Sequence, residues 1–299
     1  MAALSRKIDF AVIFRVKNAN PNGDPLNGNR PRVDYSNHGE VSDVAIKRKI
    51  RDRLLEQWTK EGKKKDDGNM IFVQSDDRKA DDATSLRDRA EEVLDKDLGS
   101  DRTAELACEK WLDVRAFGQL FALKGAKKKG GKHKDEGGEQ NAGNGDTGVS
   151  IGIRGPVTVQ SAFSIDPVDI TSIQITKSTS LEGDGTKRTP DQMGMKHRVD
   201  HGIYVFYGSM NPQLAEKTGF DDKDAERIKA VLPKLFENDE SAARPAGSME
   251  VLKVIWWEHS CKSGQYSSAM VHRSLCVNED GSYQLQKLEG LSPEELLGL

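Results

Sequence analysis

The segment "IDFAVIFRV", Ile8 to Val16, constrains the fold of this chain more than any other stretch. Its near-continuous run of apolar, β-branched and aromatic residues predicts a central strand covered on both faces. A loop with no apolar period follows, "NANPNGDPLNGNRPRVD", Asn18 to Asp34, rich in Asn, Gly and Pro. Beyond it, "EVSDVAIKRKIRDRLLEQW" predicts a helix that begins at Ser42 or Asp43, both favourable N-caps.

Elements of both kinds continue along the chain. "MIFVQS" (Met70 to Ser75) predicts a short strand, residues 84–98 and 102–113 predict helices, and Asp113 to Leu123 a shorter apolar element. Residues 124–148 contain no apolar side chain larger than Ala and many Gly, which predicts a mobile loop unable to offset its chain entropy. Two alternating strands near Ile170–Thr176 and Val199–Tyr207 flank a polar excursion, the pattern of a long hairpin. Phe220 to Asn238 reads as a helix that Pro233 must bend or shorten. "SMEVLKVIWWEHS" (Ser248 to Ser260) and "GSYQLQKL" read as strands, the first placing Trp256 and Trp257 on opposite faces, so that one is a candidate for exposure. Helices and strands are interspersed without strict alternation, and no period of 20–50 residues recurs. The class is α+β with a sheet of several antiparallel strands.

Composition bounds the function. Hydrophobic residues make up 35% and charged residues 31%, polar for one compact core, so large exposed surfaces or insertions are expected. With 45 Lys+Arg against 48 Asp+Glu, a formal charge of −3, only the distribution of charge can point to nucleic acid. Cys108, Cys261 and Cys276 are odd in number and form no C-x-x-C, which argues for reduced, buried cysteines in an intracellular protein. No long apolar run and no signal-peptide pattern is present, so a soluble cytoplasmic chain with no membrane partner is expected.

The first helix carries the clearest functional signal. Ile46, Ile50, Leu54, Leu55 and Trp58 cover one arc of about 180° at helical spacing. Lys47 and Arg51 fall inside that arc and Arg48 at its edge. Five cations in "KRKIRDR" lie where the helix dipole disfavours positive charge, so a compensating anion is required. Two readings stand: aliphatic stems that snorkel, or a phosphate site shared with the opening loop, whose Asn, Gly and Arg residues offer amides, backbone N–H groups and guanidinium to sugar and phosphate. The run "KKKGGKHK" (Lys127 to Lys134) is solvated charge or a sequence-independent nucleic-acid contact, and it fails as a P-loop. "HRVDH" places His197 and His201 on one strand face without a third ligand, so no metal is expected. Asp24 and Asp34 are lone loop carboxylates, weak candidates for acid–base work.

Taken in order, the first strand, "NPNGDP", "VSDVAIKRKIRD", "DVRAFG", "GPVTVQSAFSIDPV" and "HGIYVFYG" resemble the backbone subunit of type I CRISPR surveillance complexes (Cascade), the type I-C version above all. The resemblance spans about residues 7 to 260 and owes nothing to 124–148. It implies one RRM-like (ferredoxin-like) palm over residues 1–299 with inserted finger segments, a finger-like insertion at 59–148 and a protruding β-hairpin thumb at 176–199. It further implies RNA contacts from Asn20, Asn22, Gly23, Arg30, Arg32, Ser42, Lys47, Arg48 and Arg51, from Arg115, Arg154 and Gln160 in the matching strings, and from Met193 and Met195 beside a displaced nucleotide. The implied function is non-catalytic, sequence-independent binding of the CRISPR RNA spacer backbone, without cofactor or metal. The implied partners are that RNA, the target DNA strand paired to it, further copies stacked head to tail, and other Cascade subunits at the filament ends. The chain lacks the aromatic stacking motif of single-stranded-RNA-binding RRMs, so recognition of backbone shape rather than base identity is expected. A related type III subunit cuts RNA with a loop aspartate, which leaves a metal-independent ribonuclease using Asp34 as the alternative.

Overall fold

In the computed structural model, residues 2–62, 67–123, 149–177 and 192–299 are described. The expected Lys-rich loop at 124–148 and the tip of the expected thumb lie outside them. Among the described residues the main sheet has eight strands: β1 (Ile8–Ala19), β2 (His38–Val41), β3 (Val157–Val159), β4 (Ala162–Pro167), β5 (Ile170–Lys177), β6 (Gln192–Met210), β7 (Met249–Glu258) and β8 (Glu294–Leu297). Their order is β8-β7-β1-β6-β4-β2, with β3 and β5 also paired to β6, and the pairings are antiparallel. The chain is therefore mixed α/β around one large antiparallel sheet.

The apolar run of β1 is explained by its place between β6 and β7, covered on both sides. Phe10, Phe14, Phe206 and Trp256 form one cluster with Ile46, Ile50 and Leu54 of α1 (Asp43–Lys60) and with Ile228. On the other face Ala11, Ile13, Ile203, Ile255 and Trp257 pack beneath Val271, Leu275, Leu288 and Leu291. Both tryptophans of "IWWE" are about 1% exposed, which corrects the expectation that one of them faces solvent. Their indoles are consumed by the two core layers, because β7 is as interior as β1.

β6 is long enough to serve two purposes. Residues 199–210 pair with β1, while 192–199 run on with β5 as a hairpin. The remaining helices are α2 (Leu86–Leu94), α3 (Thr103–Lys110), α4 (Leu112–Phe117), α5 (Pro212–Thr218), α6 (Asp222–Val231) and α7 (Ser268–Arg273). The expected helix 220–238 stops at Val231 and tightens into a 3-10 turn at Leu232–Lys234, as a proline without an N–H requires. "MIFVQS" is not a strand: Met70 makes a single parallel bridge to Trp111, and Ile71 and Phe72 are buried as side chains of an irregular segment. Cys108 is buried and burial pushes its thiol up to about 11, whereas Cys261 and Cys276 are exposed, contrary to the expectation of three buried cysteines.

Candidate nucleic-acid interface

The opening loop folds back on itself and is held at three places. Its stem is a two-stranded ribbon of Gly23–Asp24 with Arg30–Pro31, where a Cβ at Gly23 would overlap the Asn29 side chain. Asn20 is buried, donates Nδ2 to the Asn29 carbonyl at 2.6 Å, and its own N–H bonds to the Ala243 carbonyl at 2.8 Å. Asn22 accepts the Ser42 N–H at 2.9 Å through Oδ1, while Ser42 Oγ accepts the Ala45 N–H at 3.4 Å as the N-cap of α1. A chain of two side-chain acceptors thus joins the loop to the helix start, satisfying N–H groups that a helix leaves unpaired.

The third attachment reaches the hairpin. Arg30 Nη1 donates to Ser172 Oγ at 2.9 Å, and that oxygen lies 2.8 Å from His197 Nδ1 on the facing strand. The serine oxygen thus stands between the guanidinium and the imidazole, within hydrogen-bond reach of both. Register pairs Met195 with Gln174 and His197 with Ser172, so Met193, Met195 and His197 share the hairpin face that Arg30 meets. Met193 is 73% exposed and Met195 54%. Loop, helix start and hairpin therefore adjoin.

The basic helix start behaves differently from its sequence reading. The compensating anion is supplied from within the chain: Lys47 pairs with Asp43 at 2.9 Å, Arg51 with Asp113 at 2.9 Å, Lys49 with Asp239, and Arg53 with Glu56. Arg51 also lies 5.0 Å over the Phe117 ring. Burial pushes the Lys49 amine down to about 8 despite the Asp239 carboxylate beside it. Arg48 donates to Ser75 Oγ at 2.9 Å, with Asp77 at 3.6 Å and Asp52 at 3.8 Å, but remains largely exposed. Cation excess in "KRKIRDR" is therefore not in itself a sign of a bound phosphate.

Arg115 is set apart from the loop. It is buried and bidentate to Asp224 of α6, with contacts of 2.6 and 2.7 Å. Arg154 is exposed at the end of the ribbon Gly118–Leu123/Val149–Arg154 and lines a cleft of about 1160 Å³ with Lys217 and Lys223. Gln160 is exposed after β3, its N–H bonded to the Tyr207 carbonyl at 2.8 Å.

Arg32 stands out among the loop cations. Its backbone is fixed by Arg32 N–H to the Asn22 carbonyl at 3.1 Å and Glu40 N–H to the Arg32 carbonyl at 2.9 Å. Its nearest carboxylate, Asp24, is 3.5 Å from Nη2, and its buried Nε has no acceptor among the described residues. The Arg32 side chain is 37% exposed and its carboxylate contact is long, so the outer part of its guanidinium is open to an anion.

The two loop carboxylates build turns. Asp24 Oδ1 accepts the Leu26 N–H at 3.2 Å. Asp34 Oδ1 accepts the N–H groups of Ser36 and His38 at 2.8 and 2.9 Å, and His38 Nδ1 lies 3.6 Å from Oδ2. The His38 and Ser36 amides hold the Asp34 carboxyl below the usual range. Among the described residues no group of three or more His, Cys, Asp or Glu is placed to hold a metal ion, and no described helix is long and apolar enough to cross a membrane. Sequence reasoning missed Ser172 as the partner of the loop and His197 as the group behind it, since Ser172 carries no local signal of a contact 142 residues away.

A family model described as "CRISPR-associated protein Cas7" matches residues 6–291. A "CRISPR-associated protein Cas7" of Haloferax volcanii is 25% identical over 298 residues, covering 97% of this chain and 80% of its own. Among solved structures, a chain of a "CRISPR RNA-guided surveillance complex, pre-nicking" aligns over 84% of this chain and 78% of its own, with TM-score 0.45 and 13% identity. A chain of a "CRISPR RNA-guided surveillance complex" aligns over 92% and 77%, with TM-score 0.43 and 16% identity.

Proposed function

The chain belongs to the Cas7 family of CRISPR-associated proteins, and from that premise we propose that it is a non-catalytic subunit that binds the spacer backbone of a CRISPR RNA without sequence preference. Copies would stack head to tail in a type I-C Cascade filament in the cytoplasm, with other subunits capping its ends and target DNA pairing to the exposed guide bases. The carrying observation is the meeting of three elements: the opening loop, the N-cap of α1 and the hairpin, joined through Asn22–Ser42 and Arg30–Ser172–His197. Beside that junction the Arg32 side chain is partly exposed with one long carboxylate contact, and the two methionines stay exposed.

The strand order β7-β1-β6-β4, with α1 between β1 and β4 and α6 between β6 and β7 in the chain, supports an RRM-like palm. The hairpin β5–β6 supports a thumb at 176–199, and the helices α2 to α4 a finger segment within 59–148. Contacts are assigned to Asn22, Gly23, Arg30, Arg32, Ser42, Met193 and Met195, with Arg48, Arg154 and Gln160 as exposed outer contacts, while the buried Asn20 holds the loop in place. Lys47, Arg51 and Arg115 are left out, because each is already paired inside the fold. Asp34 is assigned a turn rather than a chemical step, since both backbone donors of its turn converge on Oδ1.

Purified protein should bind single-stranded RNAs of unrelated sequence with equal affinity and leave labelled RNA intact. Strong preference for one sequence would sink the backbone reading. Cleavage that disappears in Asp34→Ala would establish the ribonuclease instead.

A further inference from the structure

Aromatic side chains in this chain are sheltered with few exceptions, and among the described residues the large exposed ones are Tyr35, 108% exposed, and Phe163, 41% exposed. They sit at the same edge of the sheet. Tyr35 is held in the turn Asp34–His38 by Asp34 N–H to the His38 carbonyl at 2.9 Å, Asn37 N–H to the Asp34 carbonyl at 3.1 Å, and the two amides on Asp34 Oδ1. Val168 N–H pins the turn to the end of β4 through the Asn37 carbonyl at 2.9 Å. The turn runs into β2, where Glu40 stands opposite Phe163 and His38 opposite Pro167. On the outer side, Val33 bridges Gly39 and the Arg32 carbonyl accepts from Glu40, so Arg32, Glu40 and Phe163 form one cross-strand row.

A partly exposed, loosely paired guanidinium, a fully exposed ring on a braced turn, and a second exposed ring one strand away form a distinctive set. Single-stranded nucleic acid is gripped by that combination without reading sequence: rings stack on bases and a guanidinium meets the backbone. Of the carboxylates nearby, Asp34 is engaged by the amides of its own turn, Asp24 is 3.5 Å from Arg32 Nη2, and Glu40 stands opposite Phe163 with its N–H on the Arg32 carbonyl. A protein surface would favour a contiguous apolar patch, whereas these rings are interrupted by His38, Glu40 and Arg32.

We infer that the β2–β4 edge of the sheet is a base-stacking platform for single-stranded nucleic acid, with Tyr35 and Phe163 as the stacking groups and Arg32 as their phosphate contact. This rests on the nucleic-acid reading above and adds base contact to it, where the sequence had offered none.

The test compares wild type with Tyr35→Ala, Tyr35→Phe, Phe163→Ala and Phe163→Leu. The probes are an oligoribonucleotide carrying the fluorescent base 2-aminopurine and an abasic oligomer of equal length. Wild type should quench the fluorescent base. Each alanine variant should bind the base-bearing strand about tenfold or more weakly and the abasic strand as wild type does, with Tyr35→Phe restoring binding. Phe163→Leu keeps apolar volume at the half-buried site, so its loss of quenching separates stacking from misfolding. Equal binding of both strands by all variants, without quenching, overturns the platform and leaves the backbone reading intact. No RNA binding by wild type overturns both. A change in self-association alone, with RNA binding unaltered, also overturns the platform by making it a protein contact.

Discussion

Arg30 Nη1 lies 2.9 Å from Ser172 Oγ, and this one bond couples the opening loop to the hairpin 142 residues later. The loop's other anchors, to Ala243, Ser42 and Glu40, do not reach the hairpin. Ser172→Ala is expected to raise amide exchange across residues 22–33 and 171–176 and to weaken RNA binding, with the global melting temperature almost unchanged. Hydrogen exchange followed by mass spectrometry reads this directly. Unchanged protection in both segments would mean that loop and hairpin are not coupled through this bond.

The proposed contacts and the internal ion pairs make opposite predictions about salt. Each phosphate contact on a single strand contributes about 0.7 to the slope of log affinity against log salt. Replacing Arg30 and Arg32 with Ala should flatten the slope by roughly 1.4 for the pair of contacts. Lys47→Ala should leave it unchanged, because its ammonium is matched to Asp43. Titrations at four or more salt concentrations separate these outcomes. A slope that responds to Lys47 and ignores Arg32 would reverse the assignment.

Arg115 shows where the sequence is silent. "DVRAFG" presents an arginine near Gly in a matching string, and nothing local announces that Asp224, 109 residues on, will take its Nε and Nη2. By contrast, the centrality of β1 follows from its apolar run, and the Ser42 cap and the Pro233 stop follow from short-range sterics and hydrogen bonding. The division is physical: strand burial, caps and breakers are decided within a few residues, whereas the pairing of a charge depends on tertiary contacts. The same limit hid the partners of Lys49 and Arg51 and the irregular path of "MIFVQS", whose apolar residues are drawn into the core without a strand partner.

Removing one partner of a buried ion pair costs about 3–5 kcal/mol, since the other charge is stranded. Arg115→Ala should therefore lower stability by about 3 kcal/mol or more in urea denaturation, and a paired Arg115→Met/Asp224→Leu variant should recover most of it. RNA affinity of the folded fraction should not change. An Arg115→Ala protein of wild-type stability and reduced RNA affinity would return this residue to the interface.

The last prediction concerns acid. Asp9 is fully buried at the start of β1, 2.9 Å from His259 Nε2 and 3.1 Å from Lys7 Nζ, with His272 Nε2 at 3.5 Å. His259 Nδ1 accepts the Gln265 N–H at 2.9 Å, so its proton sits on Nε2 and points at Asp9. Burial alone pushes the Asp9 carboxyl up, but the His259 hydrogen bond, the nearby His272 imidazole and Ser268 hydroxyl, and the charge of Lys7 outweigh it and hold the group well below its ordinary range. A carboxyl with a depressed folded-state pKa stabilises the fold above its unfolded value, about 3.9, and loses that stabilisation as pH falls toward its folded value. Wild type should therefore lose stability progressively below about pH 4. Asp9→Asn should be less stable than wild type by roughly 2 kcal/mol at pH 7, and the gap should narrow as the pH drops from 4 to 2. Urea denaturation at stepped pH measures both curves. A gap that stays constant down to pH 2 would show that the charge on Asp9 contributes nothing, leaving only the shape of its side chain.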